Sequence, residues 1–133
     1  MKTNILACVL GLITISTFAQ KNELKIAEKA IKSLDYTNAV TAVLEAESLF
    51  ANMDNKTKAK FYFLKAQAFY GKKEFQIATD TFEELFNFEN TTGKKKYSDQ
   101  ASEIKSQMVQ EVFDLANKQY SSEDYKNAST SFY

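Results

Sequence analysis

Two pairs of neighbouring carboxylates, Glu45/Glu47 and Glu83/Glu84, are the side chains of this sequence whose types could support general acid–base catalysis. A catalytic acid and its base must both come within hydrogen-bond reach of the reacting atoms. Neighbouring side chains on a helix instead project about 100° apart. We therefore expect both pairs to lie on exposed helix faces rather than to form a convergent dyad.

The composition excludes several other kinds of catalytic and metal site. The 133-residue chain contains no histidine, and its only cysteine is Cys8. Histidine bases, disulfides within the chain and zinc sites built from cysteine and histidine are therefore excluded. The sequence also has no G-x-S-x-G motif, no glycine-rich phosphate loop and no aspartate-rich calcium loop. These absences predict a protein that is not an enzyme and that holds no cofactor and no metal.

The charges balance, with 17 basic and 17 acidic residues, and every basic residue is a lysine. A chain without net charge is not steered over long distances toward nucleic acid or an anionic membrane, so we expect neither as a partner. The run Lys94 to Lys96 could contact an acidic partner. A solvated loop is the favoured interpretation of this run.

The N-terminus, "MKTNILACVLGLITISTFAQ", is typical of a secretory signal peptide spanning 1–19. Lys2 supplies the positive charge, an apolar run follows, and small residues end it at Ala19. The apolar run is shorter than the about 20 residues of a membrane helix, and it continues well past Cys8. An uncleaved anchor and lipidation at Cys8 are therefore the weaker alternatives. Together with an asparagine-rich, arginine-free composition, this predicts export to the periplasm or cell surface of a Gram-negative bacterium, without stable membrane insertion after cleavage.

Three segments of the chain align without gaps: "LDYTNAVTAV" (34–43), "KEFQIATDTF" (73–82) and "EDYKNASTSF" (123–132). In each, an acid precedes an aromatic residue, with an alanine three positions later, a larger apolar residue after it, and another alanine twelve positions upstream. The residues expected to pack within and between the repeats are Ala27, Tyr36, Ala39, Ala66, Phe75, Ala78, Phe82, Ala116, Tyr125, Ala128 and Phe132. Small residues let paired helices approach closely, and the aromatic residues fill the space beside them.

These columns resemble the tetratricopeptide repeat, in an exported bacterial protein, and the best copy runs from Ala59 to about Asn90. The resemblance covers nearly all of the chain after the signal peptide. It implies an all-α fold in which helix–turn–helix repeats stack as an α-solenoid, with about three repeats, the last of them incomplete. Within a domain spanning 20–133, the repeats are expected at about 21–53, 56–89 and 98–133.

The apolar periodicity predicts where the helices begin and end. We expect helices at about 21–33, 36–53, 56–70, 74–88 and 98–120, with a sixth beginning near Glu123. The expected N-caps are the acids of the three repeats, Asp35, Glu74 and Asp124, together with Asp54 and Ser98, because their side chains can accept from the unpaired N–H groups of a helix start. Leu34 is expected on the apolar stripe of the first helix, and a flexible loop is expected at 90–96.

The resemblance also implies a concave groove lined by the first helix of each repeat. The candidate groove residues are Glu28, Lys60, Phe63, Gln67, Tyr70, Phe113, Asn117 and Tyr120. The leading hypothesis is an exported protein–protein interaction scaffold that binds a peptide or protein segment in this groove.

Two alternatives stay open at this point. The helical pattern is still running at Tyr133, so further repeats or another domain are expected to follow. The chain would then be the N-terminal repeat region of a longer cell-envelope protein, whose peptidoglycan-binding, protease or isomerase activity lies in the missing C-terminal part. Capture of carbohydrate is less favoured, because the chain has no tryptophan to stack on sugars.

Signal cleavage is expected between Ala19 and Gln20, because small residues follow the short apolar run at that point. N-terminal sequencing of the exported protein should therefore begin at Gln20. An exported protein that begins at Met1, or one that carries lipid on Cys8, would contradict this prediction.

Overall fold

The computed structural model describes residues 21–121, and over this range the chain is entirely helical apart from turns and loops, with no β-strand. The elements are α1 (21–32), α2 (Tyr36–Glu47), a 3₁₀ turn (Phe50–Asn52), α3 (Asn55–Gly71), α4 (Phe75–Thr92) and α5 (Ser98–Ser121). The predicted all-α class is therefore confirmed. The signal peptide and the repeat positions Tyr125, Ala128 and Phe132 lie outside the described residues. Within 21–121, no helix is both long and apolar enough to cross a membrane.

Helix α3 lies at the centre of the fold, where it packs against both α2 and α4, while α5 packs mainly against α4. The described residues of the two alanine columns are all completely buried: Ala27, Ala39, Ala66, Ala78 and Ala116. Because an alanine side chain occupies so little space, the helix backbones can approach closely at these points. Larger side chains fill the remaining core, and Phe61, Phe82 and Leu85 are among the most deeply buried of them.

The turn between α1 and α2 has the same geometry as the turn between α3 and α4. Leu34 and Lys73 stand at equivalent positions, and both adopt the left-handed conformation, with φ of 60° and 64°. In each turn the next residue donates its N–H back to the preceding helix, from Asp35 to the carbonyl of Ala30 at 2.9 Å and from Glu74 to that of Phe69 at 3.0 Å. This pattern satisfies carbonyls that the helix end would otherwise leave unpaired.

The position of Leu34 corrects one sequence-based expectation. Its side chain is 71% exposed, so it does not continue the buried stripe of α1. The helix ends before Leu34, and the left-handed backbone at this residue redirects the side chain toward solvent. The periodicity of apolar residues in the sequence does not predict this change in the direction of the side chain.

Two of the predicted N-caps are confirmed. The prediction for Glu74 is wrong, because its side chain makes no capping hydrogen bond at the start of α4. Asp124 lies outside the described residues. The Asp35 carboxylate accepts from the backbone N–H of Asn38 at the start of α2, at 3.2 Å. The Asp54 carboxylate accepts from the N–H of Thr57 in α3, at 2.7 Å. Each cap satisfies one of the four N–H groups that an isolated helix start leaves unpaired.

The predicted extension of α2 to Met53 is wrong, because the helix ends at Glu47. A 3₁₀ turn follows, and it directs the Phe50 ring against Phe61 and Tyr62 of α3, with ring centroids 5.2 and 5.3 Å apart. Met53 is also buried. These apolar residues keep the period of a helix because they face the same core, although the helix itself is interrupted.

The predicted loop at 90–96 is also partly wrong. Helix α4 continues to Thr92 and ends at Gly93, which adopts the left-handed conformation with a φ of 66°. Residues 90–92 are therefore helical, and the connection to α5 is confined to 93–97. Glycine adopts this conformation without the steric cost of a Cβ atom, so it defines the end of the helix.

Gly71, at the end of α3, lies directly beneath the ring of Tyr36, where an added Cβ atom would overlap the ring carbons. Alanine normally stabilises a helix by about 0.5–1 kcal/mol relative to glycine. We expect Gly71→Ala to do the opposite and to lower the free energy of unfolding by roughly 1–3 kcal/mol, because the contact becomes overpacked. Urea unfolding of the variant measures this change.

The same substitution made in a Tyr36→Ala background is the control. Without the ring, Gly71→Ala should be neutral or stabilising, so the double-mutant cycle should show a coupling between the two positions. If Gly71→Ala destabilised the wild type and the Tyr36→Ala variant equally, the Tyr36 ring would not be the reason that position 71 requires glycine.

Candidate functional site

A groove of about 280 Å³ lies where α1, α3 and the start of α5 meet. It is lined by Glu28, Ile31, Lys32, Lys60, Phe63, Gln67, Tyr97 and Gln100. Four of the eight candidates from the sequence are among these residues, namely Glu28, Lys60, Phe63 and Gln67. We call this feature the α1–α3–α5 groove.

Glu28 binds two lysines and joins two of the helices that line the groove. Its carboxylate accepts from Lys60 of α3 at 2.5 Å and from Lys32, one turn further along α1, at 2.9 Å. Hydrogen bonds from Lys60 and then Lys32 lower the pKa of the Glu28 carboxyl from 4.5 to about 2. Glu28 is therefore ionised at any physiological pH, and it compensates charge within the groove.

Phe63 and Gln67 lie one turn apart on α3 and contribute differently to the groove. The Phe63 ring is only 7% exposed and stacks on Tyr97, with centroids 4.8 Å apart and planes 20° from parallel. Phe63 therefore supports the aromatic wall of the groove from below. The half-buried Gln67 carboxamide donates only a long hydrogen bond, of 3.4 Å, to the Phe63 carbonyl. The Gln67 amide therefore retains most of its hydrogen-bonding capacity.

The other four candidates, Tyr70, Phe113, Asn117 and Tyr120, do not line this groove. The Tyr70 hydroxyl donates to Glu111 of α5 at 2.9 Å, and Lys73 binds the other oxygen of the same carboxylate. Burial, followed by the hydrogen bond to Glu111, raises the pKa of Tyr70 to about 12. Tyr70 therefore connects α3 to α5. Phe113, Asn117 and Tyr120 lie on exposed parts of α5.

Sequence reasoning missed Tyr97 and Gln100, which form the α5 side of the groove. It also missed Glu89, the residue that holds them in place. Glu89 is 0% exposed on α4, and its carboxylate accepts from the backbone N–H groups of Lys96, Tyr97 and Ser98 at 2.9–3.2 Å. The Ser98 hydroxyl donates to the same carboxylate at 2.6 Å. The predicted Ser98 cap is therefore wrong, because a side chain from α4 accepts the N–H groups at the start of α5.

Two opposing effects act on the Glu89 carboxyl. Burial raises its pKa, while hydrogen bonds from the Ser98 hydroxyl and from three backbone N–H groups lower it, and the net pKa lies below the ordinary value of 4.5. The unpaired N–H groups and the positive end of the α5 dipole both favour the ionised form. One sequence signal could have identified the residue, since Glu89 stands on the stripe of α4 that also carries Phe82 and Leu85.

The two carboxylate pairs do not converge, as predicted from helix geometry. Glu47 binds Lys65 of α3 at 2.5 Å. Glu83 binds Lys105 of α5. Glu45 instead faces Glu23 of α1, and a hydrogen bond and repulsion from that carboxyl raise the pKa of Glu45. Over residues 21–121, no cluster of three or more acidic, histidine or cysteine side chains could hold a metal ion.

Comparison with known proteins identified no relative of the chain. A scan against protein-family models, a search of curated proteins and a search of solved structures all returned no match.

Replacing Glu89 by glutamine should lower the free energy of unfolding at pH 7 by about 1.5–3 kcal/mol, because hydrogen bonds to a buried charged acceptor are lost. The folded-state pKa of Glu89 is lowered, so its contribution is complete above pH 4.5 and is lost as the pH falls through the folded value. The difference between wild type and Glu89→Gln should therefore shrink below pH 4.5. Chemical unfolding at a series of pH values measures it.

Glu84→Gln is the matched control, since Glu84 lies exposed on the same helix. This variant should unfold like the wild type at pH 7. A Glu89→Gln variant as stable as Glu84→Gln would show that the start of α5 does not need the carboxylate.

Proposed function

We propose that this chain is a repeat module, similar to tetratricopeptide proteins, that binds a protein or peptide segment in the α1–α3–α5 groove. The observation that carries the proposal is that α1, α3 and α5, the alternate helices of the chain, all contribute side chains to one groove. The equivalent left-handed turns at Leu34 and Lys73 support a repeating unit. In this proposal the units stack as an α-solenoid, and α5 is the first helix of a third unit.

The groove can bind a segment without covalent chemistry. Its volume of about 280 Å³ lies just below the usual range for ligand sites, so it would receive one or two side chains while the backbone of the segment runs across it. Ile31 and Tyr97 offer apolar contact, and the Gln67 carboxamide can exchange hydrogen bonds with a backbone peptide group. These are the elements of peptide recognition by a helical groove.

Export is part of the proposal and rests on the sequence of 1–19. The module would act in the periplasm or at the cell surface as an interaction scaffold rather than as an enzyme. Its partner would be a protein or peptide rather than a nucleic acid or a membrane.

The proposal is tested by selecting a displayed library of random peptides on the purified chain. Enriched peptides should lose affinity about tenfold or more for Gln67→Arg, because the longer charged side chain fills the groove. Fluorescence anisotropy with the labelled synthetic peptides measures these affinities.

Gln76→Arg is the matched control, since Gln76 is exposed on α4 and outside the groove. It should bind the selected peptides like the wild type. A library that yields no binder, or binders equally tolerant of both variants, would contradict the proposal.

A further inference from the structure

Five lysines line a second pocket, of about 310 Å³, beside the α1–α3–α5 groove. Its lining consists of Lys21, Leu24, Lys25, Asp54, Lys56, Thr57, Lys60, Lys96 and Tyr97. Lys60 and Tyr97 also line the groove, so the two cavities are adjacent and share these residues. We call this second cavity the lysine pocket.

The positive charge of the lysine pocket is largely uncompensated. Lys60 is paired with Glu28, whereas no carboxylate within residues 21–121 lies at ion-pair distance from the other four lysines: Lys21, Lys25, Lys56 and Lys96. Asp54 is the single acid in the lining. Its carboxylate accepts the N–H of Thr57 as the cap of α3 and also interacts with the charges of Lys21 and Lys56, so one carboxylate is set against several lysines. A neutral chain therefore presents a strongly positive site, because its charges are unevenly distributed in space.

The lysine pocket also has an apolar side. Leu24 is 2% exposed at its base, and the Lys96 ammonium lies 5.0 Å from the centroid of the Tyr97 ring. Lysines continue beyond it, since Lys56 and Lys96 also line a neighbouring cavity of about 250 Å³ together with Lys94. Lysines therefore line both of the cavities that include residues from the start of α3.

We propose that the lysine pocket binds acidic side chains of the same segment that occupies the groove, so that the partner is an acidic peptide. This inference rests on the proposed function. The shared lining residues, Lys60 and Tyr97, favour a single extended ligand over a separate small anion. An exposed lysine–carboxylate pair contributes little by itself, so a site of this kind selects a segment with several carboxylates near an apolar residue. That apolar residue would contact Tyr97, which lines both cavities.

The test uses a fluorescein-labelled peptide of alternating glutamate and phenylalanine residues, with a glutamine-for-glutamate version as its neutral counterpart. Fluorescence anisotropy should show tight binding of the acidic peptide only. The double variant Lys25→Gln/Lys96→Gln should raise its Kd about tenfold or more. Added salt should also weaken binding, since exposed charges are screened over about 8–10 Å at 0.1–0.15 M.

Lys29→Gln/Lys118→Gln is the matched control, because it removes the same charge from exposed lysines that do not line the lysine pocket. It should bind the acidic peptide within about twofold of the wild type. Equal losses in the two double variants would overturn the inference, since the effect would then reflect net charge. Equal binding of the acidic and neutral peptides would overturn it as well.

Two further results separate this inference from the proposed function. Selected peptides that respond to Gln67→Arg but not to Lys25→Gln/Lys96→Gln would overturn the acidic partner while leaving the groove intact. Binding of anionic phospholipid vesicles, without binding of the acidic peptide, would assign the lysine pocket to a membrane surface and would also overturn the inference. Circular dichroism melts of the lysine variants should match the wild type, because the substituted lysines are exposed.

Discussion

The close contact of α3 with its neighbours is the constraint on which the rest of the structure depends. Ala66 on α3 and Ala78 on α4 have no exposed surface, so the two helices approach closely at these positions. The contact leaves no room for larger side chains at these points. Phe61 and Phe82 bury their rings beside it, and such side chains each contribute about 1.5–3 kcal/mol when fully buried. With α3 held in this way, one of its faces is left to the groove.

The position of α5 depends on a different interaction, between a buried charge and a helix start. The Glu89 carboxylate binds the backbone N–H groups of residues 96–98. The ring of Tyr97, one of these residues, stacks on Phe63. One ionised side chain of α4 thereby positions Tyr97, the aromatic residue that lines both the groove and the lysine pocket. Because a buried carboxylate is costly without such partners, closure of the loop around Glu89 stabilises the folded chain.

Ion pairs between helices divide the charges of this neutral chain into compensated and uncompensated regions. Glu28 compensates Lys60 at the groove, and Glu111 compensates Lys73 near the end of α3. Among the described residues, no carboxylate lies at ion-pair distance from the ammonium group of Lys25 or Lys96. A chain with a net charge of zero can therefore contain a positively charged cavity. The composition predicted no electrostatic preference for a partner because it gives only the total charge.

Among the described residues, the sequence alone determined the all-α class, the helix order, the caps at Asp35 and Asp54, and the buried alanines of the two columns. Each of these features follows from the chemistry of neighbouring residues or from the spacing of apolar residues along the chain. Both can be recognised without knowing which helices are in contact. Tertiary structure decided where α2 ends. Phe50 packs against rings of α3, and the residues near Phe50 in the sequence do not predict that contact. Tertiary structure also decided that Glu89, rather than Ser98, caps α5, and that Tyr97 completes the groove. These choices depend on residues that become neighbours only after packing, since the favourable energy of a buried carboxylate or a stacked ring exists only when its distant partner is in place.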